Sequence, residues 1–273
     1  MISILILTKN EETDIKGCLE SVSWSDDIHL YDSYSSDNTI TIAKKFGVIV
    51  TQRVFDNWSS HQNWGLRNIN FKYKWVFYMD ADERVSALLK ENLLRFNGTN
   101  EFVAFQVKRR DFSWVNTWLK FSQISPLYLR LFMPDKMHYE RLVNPVSIPD
   151  GKVGNINGYL DHYPFNKGIK FWWQRHLNYA DLEAEMRLKD INISQKYSLF
   201  HAFFERDFTK RRFHQKGIYY MLPFRPLIKF LYMLLFRMSF LDGIVGIHYT
   251  LMQSIYEYFI VIKTKELRQQ KKS

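Results

Sequence analysis

The chain has 273 residues, of which 46% are hydrophobic and 24% charged, with a single cysteine and a net charge of +10 at neutral pH. That balance supports one sizeable core with an appendage, or two small domains, and excludes collagen-like, disordered and disulfide-scaffold architectures. The positive excess is uneven: residues 1–166 carry 19 Lys and Arg against 19 Asp and Glu, whereas residues 167–273 carry 19 against 9, so an anionic partner belongs with the last two-fifths.

The opening "MISILILTKNEE" has no basic segment ahead of its short apolar run and turns charged at once, which predicts a first strand rather than a signal peptide. With one cysteine, Cys18, a reducing compartment fits, and a cytoplasmic protein is expected. Residues 28–35, 48–52 and 75–81 are further strand candidates, short and rich in β-branched and aromatic side chains. Helical patterns lie between them: 11–22, where Ile15, Leu19 and Val22 share a face; 37–46, after a Ser-Ser-Asp cap; and 59–69. This β-α-β-α rhythm predicts a mostly parallel sheet covered on both faces, with functional groups at the carboxyl ends of its strands. After Ser86 the pattern predicts a helix to about Phe96, strands in "EFVAFQVKRR" and "PLYLRLFM", and a loop region through Pro149-Asp150-Gly151. From Lys167 the period becomes helical.

"WVFYMDADERVS" runs an apolar strand into Asp80, Asp82 and Glu83. Asp80 and Asp82 fall on one side of an extended chain, where two carboxylates repel unless a cation lies near. Mg2+ or Mn2+ suits such a pair, since hard cations take one or two carboxylates together with substrate phosphates. Ordinary strand-end and helix-capping acids would read the same way, and Glu83 is expected to be an acid at a helix start. Asp32 ends the second strand candidate in "LYDSYSSDNT", so Asp32 and Asp80 are expected to face the same edge of the sheet.

Taken in order, "SILILTKNEE", "YDSYSSDNT" and "YMDADERVS" resemble the opening strand and loop, the D-S-x-S-x-D-x-T turn and the Asp-x-Asp strand end of the inverting GT-A glycosyltransferases of family two. The resemblance implies an α/β, Rossmann-like GT-A fold, a mostly parallel sheet flanked by helices, that binds a nucleotide-sugar donor. By position it implies Thr8, Asn10 and Glu11 in the first loop, Asp32 as the base-contacting acid with Asp37 behind it, Asp80 near ribose and metal, and Asp82 as the direct ligand of Mg2+ or Mn2+. "HQNWGLRN" is similar to a helix start that borders the nucleotide, which nominates Gln62 and Asn63, with Gln62 standing where a basic residue is usual. Arg130 in "YLRLF" is implied as a phosphate partner, although a strand arginine paired with an acid at the core edge would read the same way, and His162 in "LDHYPF" is implied as a ligand of the metal or diphosphate. The metal would stabilise the departing diphosphate while a general base activates an acceptor hydroxyl, which inverts configuration. Val143 and Asn144 stand where relatives carry a His-Glu pair, so Glu140 is expected as the base, then Asp161, with Asp111 a further candidate.

In the last part of the chain, the longest stretch of residues 217–262 without a charge is the fourteen residues 243–256. A membrane-spanning helix needs about 20 apolar residues, so spanning is not expected. In "PFRPLIKFLYMLLFRMSFL" the cations Arg225, Lys229 and Arg237 fall within about 120° on a helical wheel. With Arg206, Lys210, Arg211, Arg212 and Lys216 upstream, this predicts a membrane-associated helical region lying on an anionic membrane surface. "FLDGIVGIHYTLMQSIYEYFIVIK" is similar to the ending of the bacterial lipopolysaccharide-core β-1,4-glucosyltransferase subgroup, which implies glucose from UDP-glucose, a lipid-linked glycan acceptor and a peripheral location on the inner face of the cell membrane. The expected organisation is a nucleotide-sugar-binding and catalytic domain over 1–166 and a basic, aromatic helical region over 167–273 that binds membrane and acceptor. A nucleotidyltransferase shares paired aspartates and a metal, but no Gly-rich phosphate loop follows the first strand. Nucleic acid is not expected as a partner, because the cations are interleaved with long aliphatic runs and no nucleic-acid motif is present.

Overall fold

The computed structural model describes residues 1–123, 127–140, 146–191, 197–205 and 208–271. Strands β1 (Ser3–Thr8), β2 (Ile28–Asp32), β3 (Ile49–Gln52) and β4 (Val76–Asp80) alternate with helices α1 (Ile15–Val22), α2 (Thr39–Lys44) and α3 (Trp58–Asn68). Every residue of β1 is buried, the mark of a strand covered by helices on both faces. Ile4, Ile6, Phe77 and Met79 pack with Ile15 and Leu19 on one side, while Leu5, Leu7, Val76 and Tyr78 pack with Tyr31 and Leu66 on the other. The chain continues through β5 (Glu83–Val85), α4 (Ala87–Leu94), β6 (Phe102–Asp111), β7 (Leu127–Phe132), the hairpin β8 (Met137–Glu140) and β9 (Val146–Pro149), and β10 (Lys152–His162).

Eight strands form one sheet in the order β3-β2-β1-β4-β7-β6-β10-β5. The first four are mutually parallel, β7 runs antiparallel between β4 and β6, β10 runs parallel to β6, and β5 closes the edge antiparallel to β10. Register then places the chemistry. Thr8 pairs with Asp32 and Leu7 with Asp80, so those ends share one edge. His162 pairs with Asp111 on one side and Glu83 on the other.

Three expectations need correction. Asp80 ends β4, but Asp82 lies in the following turn, so the two acids do not share a strand face. Glu83 is a buried strand residue rather than a helix-start acid; the cap of α4 is Ser86, whose hydroxyl accepts from the Leu89 amide. The loop expected near Gly151 is the β8–β9 hairpin followed by the long strand β10. Glycines and asparagines lower the strand propensity of "KVGNINGYLDH", yet Gly158 is required there. Its φ is +116°, and a Cβ would lie 2.5 Å from the Leu89 Cα.

The chain divides into two compact units, Met1–Trp118 with Gln123–Lys167, and Leu119–Ser122 with Gly168–Ser273. The second contains α5 (Gly168–Ile191), α6 (Leu199–Phe204), α7 (Phe208–Met221), α8 (Arg225–Leu231) and α9 (Gly243–Gln270). Helices α5 and α8 pack along α9, where the Glu257 carboxylate meets Arg187 at 3.3 Å and Arg225 at 3.4 Å. That pairing reverses the expected amphipathic helix: Arg225 is buried, and the apolar side chains Phe224, Leu227 and Leu231 face outward. A π-helical turn, Tyr232–Phe236, follows α8, with Leu235 and Phe236 exposed. Among the described residues no single helix is long and apolar enough to cross a membrane; Arg225–Phe236 and Ser239–Gln270, bent by 71°, meet that test only as a pair.

The "FLDGIVG" ending has a local reason. The Asp242 carboxylate accepts from the Phe121 and Ser122 amides at 3.0 and 2.8 Å and from the Ser122 hydroxyl at 2.6 Å. Gly246 lies so close to the Ser239 carbonyl that a Cβ would sit 2.0 Å from its oxygen.

Candidate active site

The loops that follow β1 and β2 are laced together. The Asn10 amide donates to the Ser35 hydroxyl and the Ser36 amide to Asn10 Oδ1, both at 2.8 Å. The Glu11 amide donates to Thr39 Oγ1, the Glu12 amide to Asp37, and the Asn38 amide to Glu12. Asp37 also accepts from the Thr39 amide, and these donors hold its carboxyl below the usual range against the effect of burial. Asp32 lies at the root of this arrangement with no exposed surface. One of its oxygens accepts from the hydroxyls of Thr8 and Ser35, the other from the Ser35 amide and Gln52 Nε2. A carboxylate with four donors has no edge left for a nucleobase. In this conformation Asp32 shapes the wall of the site, and a direct base contact requires Ser35 to leave.

A chain of opposite charges links the remaining acids. Arg130 Nη2 donates to Asp80 Oδ2 at 3.1 Å and to Glu83 Oε1 at 2.6 Å; Arg109 approaches Glu83 at 3.9 Å, pairs with Asp111 at 2.8 Å and donates from Nη2 to Asp111 Oδ2 at 3.4 Å. His162 bonds Asp111 through Nδ1 at 2.8 Å and presents Nε2 to Asp82 Oδ2 at 3.4 Å. Burial, together with Arg109, pulls His162 down, but the carboxylates of Asp82 and Asp111 outweigh both and raise it to about 9. Burial pushes the Glu83 carboxyl up even against Arg130. Burial also raises Asp111, yet Arg109 and His162 reverse that and hold its carboxyl below the usual range. Strand alternation puts Arg109 and Asp111 on one face of β6 and Arg110 on the other, a signal in "KRRD" that would have located Arg109.

Other nominated residues serve the scaffold. Arg130 is buried and engaged by two acids, so it holds Asp80 and Glu83 rather than a phosphate. Gln62 is buried and donates to the Tyr78 hydroxyl, which in turn donates to Asp80 Oδ1. Asn63 bonds both backbone groups of Tyr139 at 2.8 Å, which clasps the β8 strand to α3. Asp161 is locked in a two-point pair with Arg110. Glu140 is 63% exposed at the end of β8, 3.4 Å from His138, and Val143 and Asn144 lie outside the described residues. Glu11 pairs with Lys167, a cation that sequence reading overlooked; burial lifts the Glu11 carboxyl to about 7, with Asp82 and Asp14 adding to the rise.

The Glycosyl transferase family 2 model matches residues 3–212, more than half of the chain. The chain belongs to glycosyl transferase family 2. Among curated relatives it is 26% identical over 171 residues to the lipopolysaccharide core biosynthesis glycosyltransferase LpsC of Rhizobium meliloti, a match covering 59% of this chain and 63% of LpsC. It is 30% identical over 112 residues to an uncharacterized glycosyltransferase of Rickettsia conorii, covering 39% of each. The matched regions thus span less than two thirds of these relatives. Among solved structures, the mannosyltransferase PcManGT of Pyrobaculum calidifontis, in complex with GDP-Man and Mn2+, superposes with a TM-score of 0.52 at 11% identity over 96% of this chain and 86% of that one. The fold is GT-A.

In this family 2 chain, two side chains that meet at the sheet edge, Asp82 and His162, are of types that ligate divalent cations. Asp82 offers carboxylate oxygen, His162 offers Nε2 with its Nδ1 already held by Asp111, and Asp80, two residues before Asp82, keeps 40% of its side chain exposed. An imidazole oriented by a carboxylate on its far nitrogen is the arrangement that raises ligand basicity at metal centres. Among the described residues no group of three or more His, Cys, Asp and Glu side chains converges to hold an ion.

Proposed function

We propose that this family 2 chain is an inverting, metal-dependent glycosyltransferase that moves glucose from UDP-glucose onto a lipid-linked glycan of the lipopolysaccharide core, capsule or exopolysaccharide type. The observation that carries the reading is the Asp82–His162 pair at the carboxyl edge of a sheet whose β1 and β2 loops form a laced pocket wall. A bound Mg2+ or Mn2+ would neutralise charge that develops on the leaving diphosphate, with ligands beyond Asp82 and His162 supplied by phosphate and water. This chain's own residues do the rest: Asp111 orients His162, Arg130 restrains Asp80, and Asp32 holds the wall against which the nucleoside would lie. Glu140 is the proposed base, since Asp161 is committed to Arg110. The name carried by LpsC supports a core-glycan acceptor.

The test is transfer or hydrolysis of radiolabelled UDP-sugars with Mn2+, with and without EDTA, for wild type and Asp82→Ala. Loss of turnover in both the EDTA arm and the variant is expected. Full metal-dependent turnover by Asp82→Ala would remove the central assignment.

The second part of the proposal is a peripheral location on the cytoplasmic face of the cell membrane, with residues 167–273 as the contact region. Its support is charge and an inverted helix: the region carries the whole excess of +10, while α8 turns its arginine inward and its apolar side chains outward. An anionic lipid surface matches both features.

A further inference from the structure

Tyr34 occupies a conformation that its loop does not need a tyrosine to adopt. Its φ is +59°, in the left-handed region that bulky side chains rarely enter, whereas Asn10 at +55° on the facing loop is of a type that tolerates it. The strain is held in place by hydrogen bonding: Lys9 Nζ donates to the carbonyls of both Ser33 and Tyr34, and the Ser35 amide donates to Asp32. Glycine would meet the same backbone demand at no steric cost. What tyrosine adds is a ring that is 52% exposed, with its side chain in no hydrogen bond or ring contact among the described residues.

A strained backbone that persists at a candidate site, carrying an exposed aromatic side chain with nothing to pack on, calls for a partner with a flat apolar face. Tyr34 lies two residues beyond Asp32, on the loop that lines the edge of the parallel strands. A planar heterocycle gains from stacking on such a ring whatever its hydrogen-bonding edge, which suits a wall whose acid has no edge to offer.

We propose that Tyr34 stacks on the nucleobase of the donor nucleotide; this rests on the reading of the sheet edge as the donor site. The ring supplies affinity for a base in general, and selection among bases is left to groups at the rim. The test uses the full chain with Mn2+ and two probes, UDP and inorganic pyrophosphate, measured by calorimetry for wild type, Tyr34→Phe and Tyr34→Gly, with GDP, CDP and ADP added for wild type and thermal melting in parallel.

Tyr34→Gly is expected to melt no lower than wild type and up to about 4 °C higher, because left-handed strain is relieved while glycine adds chain entropy. Its UDP affinity is expected to fall roughly 10- to 100-fold through loss of the stack. Pyrophosphate affinity should stay unchanged, and Tyr34→Phe should keep UDP binding. Unchanged UDP affinity in Tyr34→Gly would overturn the proposal. So would equal weakening of UDP and pyrophosphate, since the loop rather than the ring would then hold the ligand. If wild type binds pyrophosphate but none of UDP, GDP, CDP and ADP more tightly, the donor-site reading fails and takes this inference with it.

Discussion

Arg130 and Glu83 form a buried ion pair at 2.6 Å, with Asp80 of the Asp-x-Asp stretch held on the same guanidinium. Glu83 has no exposed surface and also accepts from the Asp80 amide, so the pair governs both the backbone and the side chain of Asp80. Removing one partner strands the other charge in the interior. Arg130→Met is therefore expected to destabilise the fold by about 3–5 kcal/mol in urea unfolding, with part of that loss recovered when Glu83→Gln is added. A cost under about 1 kcal/mol would mean that water reaches Glu83.

On the proposed reading, Asp111 acts on metal binding through His162. Asp111→Asn keeps the shape but weakens the hold on the imidazole, so Mn2+ affinity in the presence of UDP should fall roughly 10- to 100-fold by calorimetry. Asp111→Glu is expected to recover some of it. An unaltered Mn2+ affinity in Asp111→Asn would assign Asp111 to the ion pair with Arg109 alone.

His162 also sets a pH dependence. Its folded value, about 9, lies above the ordinary imidazole value, so its contribution to stability is complete below about 6.5 and is lost as pH rises through 9. Glu11, raised to about 7, acts in the same direction: the native state keeps a proton that the unfolded chain has lost, and that advantage fades as pH rises through 7. Metal-free protein should accordingly lose stability steadily between pH 5 and 9, and His162→Gln should flatten the upper half of that profile. Mn2+ affinity should rise over the same interval, because the metal displaces the imidazole proton.

The two base candidates separate by kinetics. Glu140→Gln is expected to lower kcat by about 10²- to 10⁴-fold with little change in donor KM. Asp161→Asn should instead lower thermal stability, by weakening the pair with Arg110. Turnover of Glu140→Gln at the wild-type rate would move the base elsewhere.

For the membrane contact, Phe224 and Phe236 are exposed by 79% and 78%. Replacing both with serine should reduce partition onto anionic vesicles by about tenfold or more, since each phenylalanine contributes roughly 1.5–3 kcal/mol when fully buried in an apolar phase. A protein that ignores vesicles but dimerises through these residues would place a second copy of the chain there.

The sequence by itself determined the α/β alternation, the order of the loops and the placement of Asp32 and Asp80 at one sheet edge. Those features follow from local periodicity and from the rule that parallel strands end together. Charge counting likewise separated a neutral first part from a basic last part. Tertiary structure decided which charges meet. Asp111 and His162 are 51 residues apart, and nothing in the period of either strand reveals that β10 inserts between β6 and β5 with those residues in register. The inward turn of Arg225 was equally illegible: a helical wheel gives the angle between its faces, whereas the side that packs is chosen by a carboxylate, Glu257, on another helix. Non-local pairing has no short-range signature, so the acids could be named from the sequence, but their partners only from the fold.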